Sequence, residues 1–217
     1  LSAGLAHEVR NPLSAISQAS QLLQQSEQIG EEDRGFADII DRHCLRMNQI
    51  IDVVQQMSRR IEPNIKDLAL LPLLEELVKE INEGRDNPAL IELAIPDDCL
   101  IYFDPANLKQ VLTNIIENGL RFSEQATGTA SVRLNLSSNP EDQGYFLDIH
   151  DSGPGIPRDH VRLVFDPFFT TGNQGSGLGL YVAKDLCEVN YATLHYLYPH
   201  TNSDKGFFRL SFRSAED

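Results

Sequence analysis

Apolar and small residues near the start of the chain recur at alternating intervals of three and four, the spacing that places side chains on one face of an α-helix. A polar stretch at 28–31 separates two such runs. We therefore predict a helical hairpin, and two hairpins can pair into a four-helix bundle. The positions are Ala6, Val9, Leu13, Ile16, Ser20 and Leu23 in the first run and Phe36, Ile40, His43, Met47, Ile50, Val54 and Met57 in the second.

The pattern changes after a polar segment at 58–64, which we interpret as a linker. Short apolar runs typical of strands then alternate with longer amphipathic runs typical of helices. This order predicts an α/β sandwich with helices covering one face of a mixed sheet, and it divides the chain into domains at 1–60 and 61–217. We expect helices at 73–81, 104–122 and 178–189, and strands at 91–95, 100–103, 131–136, 145–150, 193–197 and 207–212.

The charge balance argues against one class of partner. The chain has 18 Lys and Arg against 32 Asp and Glu, a formal net charge of −14. Sequence-independent binding to DNA or RNA relies on basic residues that meet phosphates, so we expect no direct nucleic-acid binding. A phosphorylated small molecule remains compatible with this charge, because a few cations, backbone amides and a divalent ion can hold it.

The sequence also bears on the cellular compartment. Its three cysteines have no metal-ligand spacing and fit a reducing compartment. No apolar run approaches the roughly 18–20 residues that span a bilayer. The chain opens at Leu1 inside a helical pattern without an N-cap residue, so we expect a fragment whose upstream part is missing. Any membrane anchor would lie in that part.

A histidine on the first predicted helix is a candidate nucleophile. The segment 5–13 reads Leu-Ala-His-Glu-Val-Arg-Asn-Pro-Leu and places His7 beside Glu8, with Asn11 one helical turn away. A neutral imidazole is nucleophilic near pH 7, and an adjacent carboxylate can accept its second N–H. The combination suits a histidine that accepts a phosphoryl group.

The predicted helix at 104–122 carries three polar residues opposite its apolar stripe. Asn114, Asn118 and Arg121 occur at i, i+4 and i+7, on one face. An amide oxygen is a hard ligand suited to Mg²⁺, and a guanidinium suits a phosphate. A solvated polar face explains the same pattern, so this motif alone leaves both interpretations open.

Two glycine-containing loops follow. Asp151 comes directly after a predicted strand and precedes Gly153 and Gly155, where a carboxylate could accept from the exocyclic amine of adenine and the glycines leave room for a planar base. An acidic turn is the alternative. The segment 175–180 reads Gly-Ser-Gly-Leu-Gly-Leu and opens a predicted helix, whose free amides could approach phosphates. A glycine-rich string alone has a high false-positive rate.

In their order along the chain, these four elements resemble the H, N, G1/F and G2 boxes of sensor histidine kinases. The segments 7–16 and 185–190 most resemble the nitrogen-regulation class, in particular the sensor kinases of type IV pilus gene control. The resemblance covers essentially the whole chain. It implies an ATP-binding domain of the fold shared with type II topoisomerases, Hsp90 and the MutL repair proteins, joined to a dimerisation and histidine phosphoacceptor domain.

The resemblance also implies residue roles. His7 resembles the phosphorylated residue, Glu8 the general base, and Asn11 the residue that orients water for dephosphorylation. The implied ATP and Mg²⁺ site comprises Asn118 as the metal ligand, Asn114 and Arg121 near the phosphates, Asp151 as the adenine-reading carboxylate with Gly153 and Gly155 beside it, and Gly175, Gly177 and Gly179 as the phosphate-side glycines.

From this resemblance we expect an ATP-dependent protein histidine kinase. It would autophosphorylate His7 and transfer the phosphoryl group to an aspartate of a response regulator receiver domain, with phosphatase activity as well. The class implies a regulator that activates σ54-dependent transcription, a homodimeric kinase, and a cytoplasmic core attached to the inner membrane through the missing upstream region.

Two alternatives and two departures from the family pattern accompany this expectation. An ATP hydrolase of the same fold would carry a glutamate at the position of Asn114, and Glu117 lies about 100° around the helix from Asn118. A non-catalytic, nucleotide-responsive module is favoured only by Gly172, which occupies the place of a usual lysine. Gly119 replaces a usual alanine and should cost the helix roughly 1 kcal/mol.

Overall fold

The computed structural model describes residues 3–26, 29–58, 62–83, 85–139, 144–171, 176–199 and 205–213. These residues form two compact units, one from 1–61 with 167–178 and one from 62–166 with 179–217. The helices are α1 (Ala3–Gln25), α2 (Glu31–Ser58), α3 (Leu70–Asn82), α4 (Pro105–Thr127) and α5 (Gly179–Val189). The strands are β1 (Lys66–Ala69), β2 (Leu90–Ala94), β3 (Leu100–Phe103), β4 (Ser131–Ser138), β5 (Tyr145–Asp151), β6 (Thr193–Leu197) and β7 (Phe207–Phe212).

The predicted helical hairpin is confirmed, with α1 continuing through Pro12. Among the side chains that the structure describes, the buried ones are Leu13 and Ser20 on α1 and Ala37 and Cys44 on α2. The hydroxyl of Ser20 donates to the carbonyl of Ala37, which ties the two helices together at this level. Small residues at this level let the two backbones approach each other.

The predicted apolar faces only partly coincide with the buried faces. Ile16, Leu23, Phe36, Ile40 and Met47 are 41–58% exposed. Two helices bury one face of each other, whereas a heptad pattern in a four-helix bundle also includes positions that face a second pair. The seam position assigned to His43 is likewise wrong for the hairpin, because that side chain is exposed and Cys44 is buried instead.

The second unit contains a mixed five-stranded sheet in the order β2-β4-β5-β7-β6. β2 and β4 are parallel, and the other neighbours are antiparallel. The predicted α/β architecture is confirmed, and β6 and β7 have the predicted bounds. The sequence analysis missed β1, which pairs with β3 in a separate two-stranded sheet. That strand has four residues, too few for an alternating pattern to stand out.

The core of this unit lies between the sheet and the helices on one of its faces. Inward side chains of the sheet include Leu134, Leu147, Leu210 and Phe212, all at most 1% exposed. The ring of Phe103 meets that of Phe212 edge to face, with centroids 5.9 Å apart. α3, α4 and α5 contribute Leu70, Leu74, Leu77, Leu108, Val111, Leu112, Ile115, Ile116, Leu120, Val182, Ala183 and Cys187. Each buried Leu or Ile contributes about 1.5–3 kcal/mol to the hydrophobic free energy of folding.

Asp104 fixes the start of α4. Its Oδ1 accepts hydrogen bonds from the backbone N–H groups of Ala106 at 2.9 Å and Asn107 at 3.1 Å. Its Oδ2 accepts from the N–H of Asn64 at 2.7 Å, and its own N–H donates to Oδ1 of Asn190 at 2.9 Å. One residue therefore caps the helix and joins it to two distant chain segments.

None of the helices in the described part of the chain is both long enough and apolar enough to cross a bilayer.

Replacing Asp104 by alanine should lower the free energy of unfolding of the α/β unit by about 1–2 kcal/mol, because the first turn of α4 loses its side-chain acceptor. Urea titration followed by far-UV circular dichroism measures this change. Asp97→Ala, at an exposed turn residue, is the matched control. Equal unfolding midpoints for both variants would contradict the capping role.

Candidate functional site

The three predicted polar residues of α4 lie on its less buried side, and each is half-buried. Asn114 donates from Nδ2 to the carbonyl oxygen of Gly179 at 3.1 Å. Because Gly179 is the first residue of α5, this bond fixes the beginning of α5 against α4. A Cβ at Gly179 would lie 3.7 Å from the Asn114 side chain, an ordinary contact.

Asn118 and Arg121 interact directly on the next turn. Nη2 of Arg121 donates to Oδ1 of Asn118 at 2.7 Å, and the guanidinium carbon lies 4.9 Å from the centroid of the Phe122 ring. The amide oxygen of Asn118 is thereby oriented as an acceptor beside a cation. This arrangement presents one hard oxygen and one phosphate-binding group at the same place on the helix.

The chemistry of this donor set fits Mg²⁺ that is bound together with a phosphate. The described residues contain no group of three or more His, Cys, Asp or Glu that could hold a metal ion. Mg²⁺ keeps several waters and takes one or two protein ligands along with substrate phosphates, so it needs no such cage. Oδ1 of Asn118 could supply a single protein ligand of this kind.

Asp151 ends β5 in a largely desolvated position. Burial raises the pKa of its carboxyl, while the N–H of Gly153, which donates to Oδ1 at 2.7 Å, lowers this pKa again. The positive charge of Lys205, and that of His150 when it is protonated, also lower the pKa of Asp151. Because the folded-state pKa lies above that of the unfolded chain, ionised Asp151 disfavours folding at neutral pH. This cost declines as the pH falls below the folded-state pKa and is absent below the pKa of the unfolded chain.

Glycines surround the Asp151 carboxylate because side chains would not fit there. A Cβ at Gly153 would lie 2.7 Å from Oδ1 of Asp151 and 3.0 Å from Cβ of Phe122. A Cβ at Gly119 would lie 2.8 Å from Cγ2 of Val132 and 3.2 Å from Cβ of Asp151. The glycine at position 119 therefore has a packing reason that the sequence analysis did not foresee, since α4 approaches β4 and β5 closely there.

A serine network missed by the sequence analysis lies behind Asp151. The fully buried Ser123 donates from Oγ to the carbonyl of Ser131 at 2.7 Å and accepts from the N–H of Ser152 at 2.8 Å. The hydroxyls of Ser131 and Ser152 are 3.0 Å apart. A serine on the apolar stripe of α4, four residues after Gly119, was the available signal. The network joins α4, β4 and the loop after β5.

The loop beyond Asp151 is held by two tyrosines, which the sequence analysis also missed. Gly155 has a left-handed φ of 78°. The next residue, Ile156, forms hydrogen bonds with both tyrosines. The N–H of Ile156 donates to Oη of Tyr196 at 3.0 Å, and Oη of Tyr198 donates to the carbonyl of Ile156. Two tyrosines spaced by two, one in a predicted strand and one just after it, were the available signal.

The predicted glycine-rich loop is described only in part. Gly175 and Gly172 lie outside the described residues. Gly177 has a left-handed φ of 70°, and its carbonyl accepts from the N–H of Phe168 at 2.9 Å. Phe168 also has a positive φ, 68°, and a Cβ at Gly177 would lie 2.5 Å from its carbonyl carbon. A residue with a side chain would therefore not fit at position 177.

The candidate phosphoacceptor segment lies within α1. The side chains of His7 and Glu8 are outside the part that the structure describes. Asn11 is exposed, and Leu13 is buried against α2. Residues 7 and 11 are one helical turn apart along α1.

Two protein families match the chain. Residues 103–214 match the histidine kinase-, DNA gyrase B- and HSP90-like ATPase, and residues 1–63 match the His Kinase A phosphoacceptor domain. The chain therefore belongs to the histidine kinases, as its motifs predicted.

Two curated relatives indicate the class of histidine kinase to which the chain is similar. The sensor protein kinase PilS of Pseudomonas aeruginosa is 42% identical over 98% of this chain and 40% of its own length. The sensory histidine kinase/phosphatase NtrB of Rhizobium leguminosarum is 32% identical over 83% of this chain and 50% of its own length. The chain thus spans at most half the length of these two relatives. The predicted likeness to the pilus and nitrogen-regulation class is confirmed at this level.

Solved structures share the fold. Full-length ShkA, crystallised with AMPPNP, has a TM-score of 0.68 at 22% identity and covers 98% of this chain and 46% of its own. The Acinetobacter baumannii histidine kinase AdeS has a TM-score of 0.62 at 20% identity, covering 96% of this chain and 98% of its own.

Replacing Gly153 by alanine should weaken ATP binding at least tenfold, because the added Cβ would displace the Asp151 carboxylate or the α4 backbone at Phe122. Isothermal titration calorimetry with ATP and Mg²⁺ measures the dissociation constant. Gly35→Ala, in α2 with no atom within 4 Å of its added Cβ, is the control. Unchanged affinity in Gly153→Ala would show that Asp151 and Gly153 do not form part of the ATP site.

Proposed function

We propose that this chain is the catalytic core of a sensor histidine kinase, which transfers the γ-phosphoryl group of ATP to His7. The observation that carries the proposal is the pairing of two groups within one unit. The Asn118–Arg121 pair lies on α4, and the desolvated Asp151 lies at the end of β5, beside the same helix at Gly119. Together they offer groups for the phosphate end and the base end of one nucleotide.

The Asp151 carboxylate is suited to binding the adenine of the nucleotide. It can accept from the exocyclic amine of adenine, and desolvation strengthens that hydrogen bond relative to one made in water. A side chain at Gly153 would collide with this carboxylate. Asn118 would hold Mg²⁺, which when bound neutralises charge on the transferring phosphoryl group. Arg121 supplies a further positive charge for the phosphates.

At His7, a ring nitrogen would attack the γ-phosphorus, forming a P–N bond while the bond to the β–γ bridging oxygen breaks and ADP leaves. Glu8 would accept the N–H of the other ring nitrogen, which favours the reactive tautomer and stabilises the developing positive charge. The phosphoryl group would then pass to an aspartate of a receiver domain. Asn11, a neutral amide, would orient water for the reverse, phosphatase reaction.

The partners follow from the same proposal. Relatives named as sensor kinases work in two-component pairs, so a response regulator is the expected acceptor, and the likeness to NtrB supports a σ54-dependent activator. The exposed apolar residues of the hairpin support a homodimer that buries them in a four-helix bundle. The upstream part of the protein would carry the sensor and its membrane anchor.

The hydrolase alternative has little support. Hydrolysis in this fold needs a carboxylate at the position of Asn114 to activate water. Here the Asn114 amide is bonded to the start of α5, and Glu117 points to solvent. Incubation with labelled ATP distinguishes a kinase from a nucleotide-responsive module without kinase activity. Only the kinase would acquire a label that is lost in acid and retained in alkali, the behaviour of phosphohistidine.

Glu8 and Asn11 should divide the two activities between them. Glu8→Gln should slow labelling of His7 from ATP by about 10²–10⁴-fold, the range for a lost general base. Asn11→Ala should keep much of that labelling but slow dephosphorylation of a phosphorylated regulator. The measurements are the initial rate of labelling and the decay of the purified phosphoregulator, with His7→Ala as the unlabelled control. Loss of labelling in Asn11→Ala with intact phosphatase activity would refute this division.

A charge in the exposed apolar face of the hairpin should separate the dimer. Leu23→Glu should shift the chain toward the monomer, because a carboxylate would be buried against a second copy without a partner. Light scattering at micromolar concentration measures the mass. Gln21→Glu, exposed on the same helix, should remain dimeric. A monomeric wild-type chain would exclude the proposed bundle.

A further inference from the structure

Both backbone polar groups of a single residue beside the candidate base site are bound by tyrosine hydroxyls. The N–H of Ile156 donates to Oη of Tyr196 at 3.0 Å, and its carbonyl accepts from Oη of Tyr198. Tyr196 lies in β6, and Tyr198 directly follows the end of that strand at Leu197. Two side chains from this short segment therefore bind both backbone groups of Ile156.

Tyr196 also binds a second segment. Its Oη accepts from the N–H of Gly206 at 3.1 Å, just before β7. A Cβ at Gly206 would lie 2.5 Å from Cε1 of Tyr196, so this backbone passes close to the ring. Lys205, the preceding residue, is close enough for its charge to lower the pKa of Asp151. One hydroxyl thus joins the two chain segments that flank the Asp151 carboxylate.

The tyrosines themselves are rigidly placed. Tyr196 is 5% exposed, and its ring meets those of Phe208 and Tyr198 edge to face at 5.0 and 5.6 Å. The guanidinium of Arg158 lies 4.4 Å from the centroid of the Tyr198 ring. Such packing leaves each ring one orientation, so the hydroxyls are fixed in position. Burial raises the pKa of Tyr196, which keeps it a neutral hydroxyl at physiological pH.

The loop between Asp151 and Ile156 is consequently anchored at both ends. At the beginning, the N–H groups of Ser152 and Gly153 are bound by Ser123 and by Asp151 itself. At the far end, the N–H and the carbonyl of Ile156 are bound by the two tyrosine hydroxyls, and its side chain packs against the core. Gly155, with its left-handed φ, lies between the anchors and offers no resistance of its own to movement.

We propose that Tyr196 and Tyr198 are positioning residues that set the base selectivity of the nucleotide site. They hold the 153–156 backbone at a fixed distance from Asp151, so that a base entering there must present its amine to the carboxylate. The inference rests on the proposed function, because it takes Asp151 to be the group that reads the base. Neither tyrosine touches the reacting atoms.

The test compares ATP with inosine triphosphate, which has a carbonyl oxygen where adenine has its amine. Dissociation constants are measured with Mg²⁺ for the wild type, Tyr196→Phe and Tyr198→Phe. Tyr196→Phe removes the acceptor of two backbone N–H groups. It should weaken the binding of ATP about tenfold and leave the affinity for inosine triphosphate nearly unchanged, so the selectivity ratio falls about tenfold. Tyr198→Phe removes the donor to one carbonyl and should lower the ratio by about threefold. Tyr102→Phe, exposed on β3, should keep the wild-type ratio.

The outcomes separate the two proposals. A folded Tyr196→Phe that keeps the wild-type ratio, or weakens both nucleotides equally, overturns the positioning role alone. A wild type that does not distinguish the two nucleotides overturns the base contact of Asp151 and this inference with it. Thermal unfolding identifies a variant that fails to fold. Should Tyr196→Phe do so, Tyr198→Phe decides the question by the same ratio, because it keeps the ring that stacks with Arg158.

Discussion

The close packing of α4 against the sheet is the constraint on which the rest of the nucleotide-binding unit depends. Its buried stripe fills the core, and at Gly119 its backbone comes within contact of β4 and β5. Because a helix is rigid over this length, fixing one face also fixes Asn114, Asn118 and Arg121 on the other. Asp104 determines where the helix begins, and the capping bonds that it makes set the axial position of every site residue on it.

Local periodicity predicted most of the fold for physical reasons that the structure makes explicit. β6 and β7 alternate buried and outward side chains almost strictly, so their bounds could be read directly from the sequence. α4 has a clean apolar stripe and a capping residue. The hairpin faces were assigned less well, because a heptad pattern does not distinguish burial within one chain from burial between two. β1 is too short for any period to emerge.

The residues of the candidate site were likewise predicted only in part. Asn118, Arg121 and Asp151 could be selected because each belongs to a short motif whose spacing carries meaning. The serine network and the tyrosine contacts could not, since their hydrogen bonds join residues from 8 to 42 positions apart with no common spacing. Such contacts are products of the completed tertiary fold. Asp151 also illustrates a conflict between folding and binding, because the desolvation that suits it to a ligand disfavours its charged form in the free protein.

The tight fit at Gly119 constrains the evolution of this chain. Alanine is the better helix former, yet its methyl group would meet Cγ2 of Val132, a stiff β-branched side chain in the core. A smaller residue at 132 would open a void while Gly119 remained, so either change alone would be unfavourable. The packing therefore couples the two positions. An alanine at 119 needs a smaller residue at 132, and its methyl group would also lie 3.2 Å from Cβ of Asp151.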